Sequence, residues 1–213
     1  MLPCELRRKI RENVLVALYK ATGKRYVPAA ISNRHVHLSR LEVDILFGNG
    51  YELKPDRPLV QPGIFAAKET VTLIGPKGRM EGVRILGPLR EAAQVEISVT
   101  DSYQLGVGQV LRMSGDVAGS QSIVLETRQG RMELTEGVII AVRHLHMSAD
   151  QAKAFGLSDG QTVSLKSDGE RSVTLNEVAV RTGSAHDLEV HLDTDEANAA
   201  MIKNGDLLEI VER

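Results

Sequence analysis

Arg34-His35-Val36-His37-Leu38-Ser39 recurs 109 residues later, counted from His35 to His144, as Arg143-His144-Leu145-His146-Met147-Ser148. In both copies the serine is followed three positions on by an acid or amide, Glu42 and then Gln151. This spacing is typical of a capping box, so each copy predicts a helix that begins directly after a His-x-His strand. We expect these helices to end at Phe47-Gly48 and Phe155-Gly156. The repeat predicts a chain built from two related halves.

The likeness extends to a second strand in each half. Val95–Asp101 resembles Leu188–Thr194, and both segments read as a strand that ends in a Thr or Asp helix cap. The spacing between the two motifs is 61 residues in the first half, from His35 to Glu96, and 45 in the second, from His144 to Glu189. The first half therefore carries an insertion.

The paired histidines point to metal binding. Alternate side chains of a strand share a face, which places two imidazoles about 6–7 Å apart, within reach of one ion. A third protein ligand completes a zinc site that keeps an open position, and the repeat offers Glu96 in the first half and His191 in the second. Imidazoles with one carboxylate and no thiolate favour zinc. Two copies predict two neighbouring metal ions.

The overall composition excludes several classes of protein. The 26 Lys and Arg residues against 28 Asp and Glu residues give a net charge of −2, which argues against a general nucleic-acid binder. With only 3% aromatic residues, the core must consist of Val, Ile, Leu and Ala. The single cysteine, Cys4, excludes a disulfide framework, and we expect an incidental free thiol. No apolar run approaches a membrane span and the N-terminus is charged, which predicts a soluble intracellular protein.

A helix at residues 5–21 and short strands elsewhere define the expected fold. The helix carries an apolar stripe of Leu6, Ile10, Val14, Ala17 and Leu18 and ends near Gly23. Residues 71–74 and 83–86 flank a hairpin turn at Gly75–Gly78. Further strands are expected at 94–99, 122–127, 138–142, 162–165, 172–180, 188–192 and 206–211.

Long crossover helices are missing from this pattern, which argues against a parallel doubly wound sheet. The sequence instead predicts a mainly β fold: two β-barrels related by internal duplication and capped by short helices, with an N-terminal amphipathic helix. His186 has no counterpart in the other half and is expected to lie in a surface loop.

Arg84 and Arg90 bracket the Gly87-Pro88 turn just before Glu96. A guanidinium group near a metal suits phosphate, because its planar fork binds two oxygens at once. Taken alone, this segment favours the alternative of solvated turn arginines. The sequence has no Walker-type loop, Gly-x-Gly-x-x-Gly motif or Gly-x-Ser-x-Gly elbow to support nucleotide hydrolysis, a Rossmann cofactor site or a serine hydrolase.

These motifs together resemble the PduL-type phosphate propanoyltransferases, over about residues 28–212 and in order. The segments that carry the resemblance are Ser32–Ser39, Leu59–Gly63, Val71–Gly78, Ile85–Arg90, Gln94–Ser98, Leu111–Gly115, Arg143–Ser148 and Asp193–Ala200. The resemblance implies a zinc-dependent phosphotransacylase that reversibly converts propanoyl-CoA or acetyl-CoA and phosphate into acyl phosphate and CoA.

The resemblance also implies a domain arrangement with an exchanged first strand. Residues 34–141 would form the first-half barrel, and residues 24–33 would join residues 142–213 in the second-half barrel. The zinc site would lie between the barrels. Residues 1–23 would form a separate amphipathic helix, which could direct the enzyme into a bacterial microcompartment. Packing of this helix on its own barrel or on a partner subunit is an equal alternative.

Carried over by position, the resemblance assigns two zinc ions per chain, held by His35, His37 and Glu96 and by His144, His146 and His191. Arg90 corresponds to the phosphate-binding arginine. Positions lining the CoA pocket correspond to Ser32, Arg84, Leu86, His191 and Asn198. Because no activated serine or cysteine can be identified, we expect phosphate to attack the thioester carbonyl directly.

The expected partners are a CoA thioester and inorganic phosphate, without nucleic acid or membrane, in the bacterial cytoplasm or inside a microcompartment. The chain could form a homo-oligomer, and shell or cargo proteins could contact its N-terminal helix. Two alternatives stay open: a binuclear zinc hydrolase acting on a thioester, ester or amide, and a non-catalytic barrel that metals merely staple together. The acyl chain is undecided, because one methylene is worth only about 1–3 kcal/mol in a pocket.

Overall fold

The computed structural model describes residues 4–183 and 186–211 of the chain. Five helices accompany fourteen strands in this part of the chain. The helices are α1 Cys4–Thr22, α2 Arg40–Phe47, α3 Val99–Leu105, α4 Ala149–Phe155 and α5 Thr194–Ala200. The strands are β1 Arg25–Ser32, β2 His35–His37, β3 Pro55–Pro58, β4 Phe65–Ile74, β5 Arg79–Gly87, β6 Gln94–Glu96, β7 Leu111–Arg112, β8 Gln121–Glu126, β9 Arg131–Ala141, β10 His144–Met147, β11 Thr162–Lys166, β12 Thr174–Thr182, β13 Glu189–Asp193 and β14 Leu207–Val211.

The strands close into two barrels, which confirms the predicted fold class. One barrel has the order β1-β13-β10-β12-β11-β14. In the other, β4, β5, β2, β6, β9 and β8 pair in turn and β8 returns to β4, while β3 and β7 extend the sheet from β4 and β9. In both barrels the His-x-His strand pairs in parallel with one neighbour and antiparallel with the other.

The strand that precedes each His-x-His motif belongs to a different barrel from the motif itself. β1 comes just before β2 but pairs with β14, so that Arg25 lies opposite Ile210. β9 comes just before β10 but pairs with β6 and β8. The contacts accordingly divide the chain into two compact units, Met1–Ile31 with Arg143–Arg213 and Ser32–Val142.

Branched aliphatic side chains fill both barrels, and they orient the histidine strands. Val36 and Leu145, which separate the paired histidines, are fully buried in the two cores. Since successive side chains of a strand point to opposite faces, burial of these two residues directs all four flanking imidazoles away from the core interior. The same alternation applies to Val95 and Val190, which are also fully buried.

Each of the four helices after α1 begins with a capping box. The boxes predicted at Ser39 and Ser148 are confirmed, as are the helix ends at Gly48 and Gly156. The helix α5 is capped by Asp193, as expected. For α3 the expected Thr or Asp cap is wrong. The cap is Ser98, because its hydroxyl accepts the Asp101 N–H while the Asp101 carboxylate accepts the Ser98 N–H.

The helix α1 packs through a face other than the predicted stripe. Leu15 is buried, and Tyr19 meets Phe155 edge-on with ring centroids 5.6 Å apart. Of the predicted stripe, Leu6, Ile10, Val14 and Ala17 are exposed and Leu18 is half-buried. The Cys4 thiol lies outside the described side chains. Across the described ranges, no helix combines the length and apolar character that a membrane crossing requires.

Several strand boundaries differ from the sequence pattern. The hairpin at Gly75–Gly78 is confirmed by the Gly75 N–H bond to the Gly78 carbonyl. Strand β6 is shorter than expected, because α3 begins at Val99. Strand β9 begins at Arg131, before the expected 138, and β3 and β7 were not expected. All of β3 is exposed. In the first part of β9, Met132 is half-buried and Leu134 is buried, while the residues on either side of Leu134 are exposed, so this segment has the alternation of a strand that the expected boundary at 138 left out.

An arginine brace recurs in both halves of the chain. Arg34, which precedes His35, places Nη2 2.6 Å from Oδ1 of Asp101 in the capping box of α3. Arg143, which precedes His144, places Nε 2.6 Å from Oε1 of Glu196 in the capping box of α5. Each brace ties the start of a His-x-His strand to the helix that follows the opposing strand.

We expect the substitution Arg34→Ala to lower the free energy of unfolding by about 1–3 kcal/mol, because it leaves the Asp101 carboxylate without its cation. The Asp101 side chain is 2% exposed and Arg34 is 36% exposed, which keeps the loss below that of a fully buried pair. Urea denaturation measures the change. The control is Arg112→Ala, whose partner Asp116 is 59% exposed; a surface pair of this kind contributes about 0–1 kcal/mol. Equal losses for the two variants would contradict the bracing role.

Candidate functional site

The antiparallel pairing of each His-x-His strand with its neighbour places the predicted third metal-binding residue beside the two histidines. His35 on β2 lies directly opposite Glu96 on β6. His144 on β10 lies directly opposite His191 on β13. Directly opposed side chains share a face with Cβ atoms about 4.5–5.5 Å apart. Two groups of donor atoms result, each with its atoms within 4.8 Å of one another: His35, His37 and Glu96, and His144, His146 and His191.

In the first group both imidazoles turn Nε2 toward the carboxylate. His35 Nε2 lies 3.6 Å from Glu96 Oε2, and His37 Nε2 lies 4.0 Å from Glu96 Oε1. His35 Nδ1 is bonded to the Asn33 carbonyl at 2.9 Å, and His37 makes a backbone hydrogen bond to Leu86. These backbone contacts orient the rings from behind, an arrangement that is typical of metal-binding histidines. All three side chains are buried.

Burial and mutual charge determine the protonation of this group. Burial would raise the pKa of Glu96, but the charge of His35 and its hydrogen bond outweigh burial and lower it. For His35, burial would lower the pKa, yet the charge of Glu96 raises it. Burial, His35 and Arg90 lower the pKa of His37 to about 3. At neutral pH the group therefore offers an ionised carboxylate and a neutral imidazole on His37.

Gln94 and Ser114 hold the Glu96 carboxylate in place, and the sequence pattern did not single them out. Gln94 Nε2 donates to Glu96 Oε1 at 2.5 Å, and Ser114 Oγ donates to the same oxygen at 2.9 Å. The Gly115 N–H donates to Gln94 Oε1 at 2.8 Å. Their signal was present in the sequence, since Gln94 lies two residues before Glu96 and Ser114 lies in one of the family-like segments.

The second group consists of three imidazoles in mutual contact. Ring centroids are 4.7 Å apart for His144 and His146, 4.8 Å for His146 and His191, and 5.0 Å for His144 and His191. Burial, His144 and His191, in that order, lower the pKa of His146 to about 2, with smaller effects from His186 and Arg181. His146 Nδ1 is buried and has no hydrogen-bond partner among the described residues. His191 Nε2 lies 2.8 Å from Glu189 Oε1.

His186 lies in a loop, as expected, but it is half-buried rather than fully exposed. Its ring packs against His146 with centroids 4.3 Å apart, and its Nδ1 lies 3.2 Å from the Arg181 carbonyl. The repeat could not indicate this contact, because His186 has no counterpart in the first half.

The donor chemistry of both groups fits a divalent metal ion. Zinc takes neutral imidazole and ionised carboxylate ligands, and three protein ligands leave one position open. The first group supplies two imidazoles and a carboxylate, while the second supplies three imidazoles, including the unpartnered buried nitrogen of His146. Such a nitrogen is costly to bury without a partner, and a metal ion would satisfy it.

The remaining predicted site residues differ in their contacts and exposure. The charge of Arg90 lowers the pKa of both His35 and His37, and its main-chain N–H donates to the Leu38 carbonyl at 2.9 Å. Arg84 lies opposite His35, but its Nη1 contacts the Ala67 carbonyl at 3.0 Å and Asp56 at 3.4 Å. Ser32 and Leu86 are half-buried and Asn198 is exposed on α5.

Comparison with known proteins identifies the family. A family model described as phosphate propanoyltransferase matches residues 28–203. The chain belongs to the phosphate propanoyltransferase family. It is 48% identical to the phosphate propanoyltransferase of Thermotoga maritima over 205 residues, which cover 96% of each chain. The corresponding enzyme of Shewanella putrefaciens is 51% identical over 183 residues, covering 85% of this chain and 86% of the relative. Membership in this family makes the chain an acyltransferase enzyme.

The pKa directions predict how stability depends on pH in the metal-free protein. The pKa of Glu96 is lowered from 4.5, so its contribution is present above pH 4.5 and is lost as the pH falls. The pKa of His35 is raised from 6.5, so its contribution is present below pH 6.5 and is lost as the pH rises through the folded-state value. We expect Glu96→Gln to destabilise the metal-free protein most between these two values, 4.5 and 6.5.

Urea denaturation in the presence of a chelator, from about pH 3.5 to about pH 9, measures this difference on both sides of that window. The matched control is Glu133→Gln, which makes the same chemical change at an exposed position. A loss of stability that does not vary with pH would contradict the ion pair between His35 and Glu96.

Proposed function

We propose that this chain transfers a propanoyl group reversibly between CoA and inorganic phosphate at two zinc ions. The observation that carries the proposal is the pair of matched donor groups, one in each unit, in a chain of the phosphate propanoyltransferase family. Acetyl-CoA is a second candidate substrate, because the two acyl groups differ by one methylene.

His35, His37 and Glu96 would hold one zinc ion, and His144, His146 and His191 the other. Zinc, when bound, supplies a Lewis acid that polarises carbonyl or phosphoryl oxygens and favours the thiolate form of CoA. The protein prepares for this by keeping the imidazoles of His37 and His146 neutral and the Glu96 carboxylate ionised.

Arg90 would bind the phosphate. Its positive charge acts on both histidines of the first group, and its main chain is tied to Leu38, next to those histidines. A guanidinium fork binds two phosphate oxygens at once, so it orients the nucleophile as well as attracting it. The buried side chains of the first group lower the local dielectric and strengthen this attraction.

Ser32, Arg84, Leu86, His191 and Asn198 would contact CoA. The support for Arg84 is its accessibility. Its side chain is 40% exposed and forms an ion pair at 3.4 Å with Asp56, whose side chain is also half-exposed. A pair of this kind is weak and can exchange Asp56 for a phosphate of CoA. The exposed Asn198 offers both donor and acceptor groups.

Phosphate would attack the thioester carbonyl directly, without an acyl-enzyme. The hydroxyls near the donor groups have other partners: Ser39, Ser98 and Ser148 accept N–H bonds as helix caps, and Ser114 donates to Glu96. A nucleophilic serine needs an adjacent general base to take its proton, and the Ser114 proton is directed to the carboxylate that would bind metal. Holding the two substrates together then supplies the rate enhancement through proximity.

A role of residues 1–23 in targeting the enzyme to a bacterial microcompartment, with shell or cargo proteins as partners, stays a prediction. Its support is the exposed apolar part of α1, formed by Leu6, Ile10 and Val14.

We expect the zinc-loaded protein to release free thiol from propanoyl-CoA only when phosphate is present. A thiol reagent follows the reaction, and propanoyl phosphate is trapped as its hydroxamate. A chelator should abolish the release and added zinc should restore it. Release of thiol without phosphate would indicate a zinc hydrolase instead. No release from zinc-loaded protein would indicate that the metals are purely structural.

We expect Arg90→Ala to raise the KM for phosphate about tenfold to a hundredfold, because a charge-assisted hydrogen bond contributes about 1.5–3 kcal/mol. The KM for propanoyl-CoA should change much less. Arg84→Ala is the contrasting variant and should raise the KM for propanoyl-CoA instead. Steady-state kinetics with each substrate varied in turn gives both constants. Equal effects of Arg90→Ala on the two substrates would contradict its assignment to phosphate.

A further inference from the structure

The residue two positions before the third member of each donor group makes a hydrogen bond to that member. Gln94 precedes Glu96 on β6, and Glu189 precedes His191 on β13. Residues at i and i+2 of a strand share a face, so each pair lies side by side. Gln94 lies opposite His37, and Glu189 lies opposite His146, so these two positions correspond in the two barrels. The register thus differs by two residues from the sequence alignment, which paired Glu96 with Glu189.

The direction of the hydrogen bond differs between the two barrels: the neighbouring residue donates to the third member in one and accepts from it in the other. In the first barrel the amide of Gln94 donates to the Glu96 carboxylate at 2.5 Å. In the second barrel, Nε2 of His191 lies 2.8 Å from Oε1 of Glu189. An ionised carboxylate has no proton to donate, so it can act only as a hydrogen-bond acceptor. A carboxylate member thus has a donor beside it, and an imidazole member has an acceptor.

Both residues are themselves held in place. Gln94 is buried, and its Oε1 accepts the Gly115 N–H at 2.8 Å, which leaves the amide NH₂ to face Glu96 and Ser114. A flipped amide would lose the Gly115 bond and face Glu96 with an oxygen. Glu189 is buried as well, and it is not a member of the three-histidine group whose donor atoms lie within 4.8 Å of one another.

We infer that Gln94 and Glu189 are positioning residues, each orienting the third ligand of one metal site. The inference rests on the proposed metal sites and adds residues that the family resemblance did not assign. A hydrogen bond to a ligand from a neighbouring side chain sets its orientation and basicity, and loss of such a partner typically lowers metal affinity about tenfold to a hundredfold. The reversed direction of the hydrogen bond explains why the third ligand can be a carboxylate in one half and an imidazole in the other.

Zinc affinity, measured by competition with a chromogenic chelator, tests this inference without an activity assay. Gln94→Leu removes the donor at nearly constant volume and should weaken binding at the first site about tenfold to a hundredfold. Glu189→Leu should do the same at the second site. Gln129→Leu and Glu133→Leu are the matched controls, because both side chains are exposed. Circular dichroism and cooperative thermal unfolding show that each variant is folded.

Introducing the Glu-Val-His sequence of β13 into β6 distinguishes a positioning role of residue 94 from a purely structural one. Glu96→His alone places an imidazole beside the Gln94 amide and should bind zinc weakly at the first site. The double variant Gln94→Glu with Glu96→His reproduces the Glu-Val-His sequence of β13 and should bind zinc about tenfold more tightly than Glu96→His. Gln94→Glu alone should not tighten binding, because an ionised glutamate offers no hydrogen to the Glu96 carboxylate.

Three results would overturn the inference, and a fourth concerns the proposed function instead. Unchanged affinity in folded Gln94→Leu and Glu189→Leu would remove the positioning role. Equal affinity of Glu96→His and the double variant would do so too. If Gln94→Glu tightens binding equally in the wild-type background and in the Glu96→His background, the added charge alone explains the effect. A wild-type protein that binds no zinc at all would contradict the metal sites of the proposed function.

Discussion

The antiparallel register between the His-x-His strand and its neighbour is the constraint on which the rest of each site depends. Val36 lies opposite Val95 and Leu145 lies opposite Val190, and all four side chains are fully buried. A slip of one residue would bring these apolar side chains out of the core and turn Glu96 or His191 to the opposite face. Core packing therefore sets the geometry of the polar face, and the strands alone position the side chains of both donor groups.

The two halves keep this framework and differ in its chemistry. Both retain the arginine brace, the capping boxes and the residue that hydrogen-bonds the third member of the donor group. One half presents a carboxylate with two imidazoles, and the other presents three imidazoles. The first group therefore contains a carboxylate that the second lacks, and the positive charge of Arg90 acts on the two histidines of the first group.

Much of this arrangement could be predicted from the sequence, because the same two strand motifs occur in both halves of the chain. The duplicated His-x-His motifs, with Ser39 and Ser148, identified the strand and helix starts, and the repeated second strand identified Glu96 and His191 as candidate third ligands. Other features could not be predicted. The strand β3 is exposed along its whole length and contains two prolines, so no apolar pattern marks it. The face of α1 that packs is determined by tertiary contacts such as that of Tyr19 with Phe155. Ser114 reaches Glu96 through a side-chain hydrogen bond across 18 residues, a separation that no local pattern predicts.

The measurement that tests the account most directly is the zinc content of the purified protein and of two variants, determined by atomic emission. If each donor group holds one ion, the wild-type protein carries two zinc ions per chain, and His37→Ala and His146→Ala each carry one. Each variant is then the control for the other, since each retains an intact group. A wild-type protein without bound zinc, or variants that both keep two ions, would contradict the claim that these two groups are the metal sites.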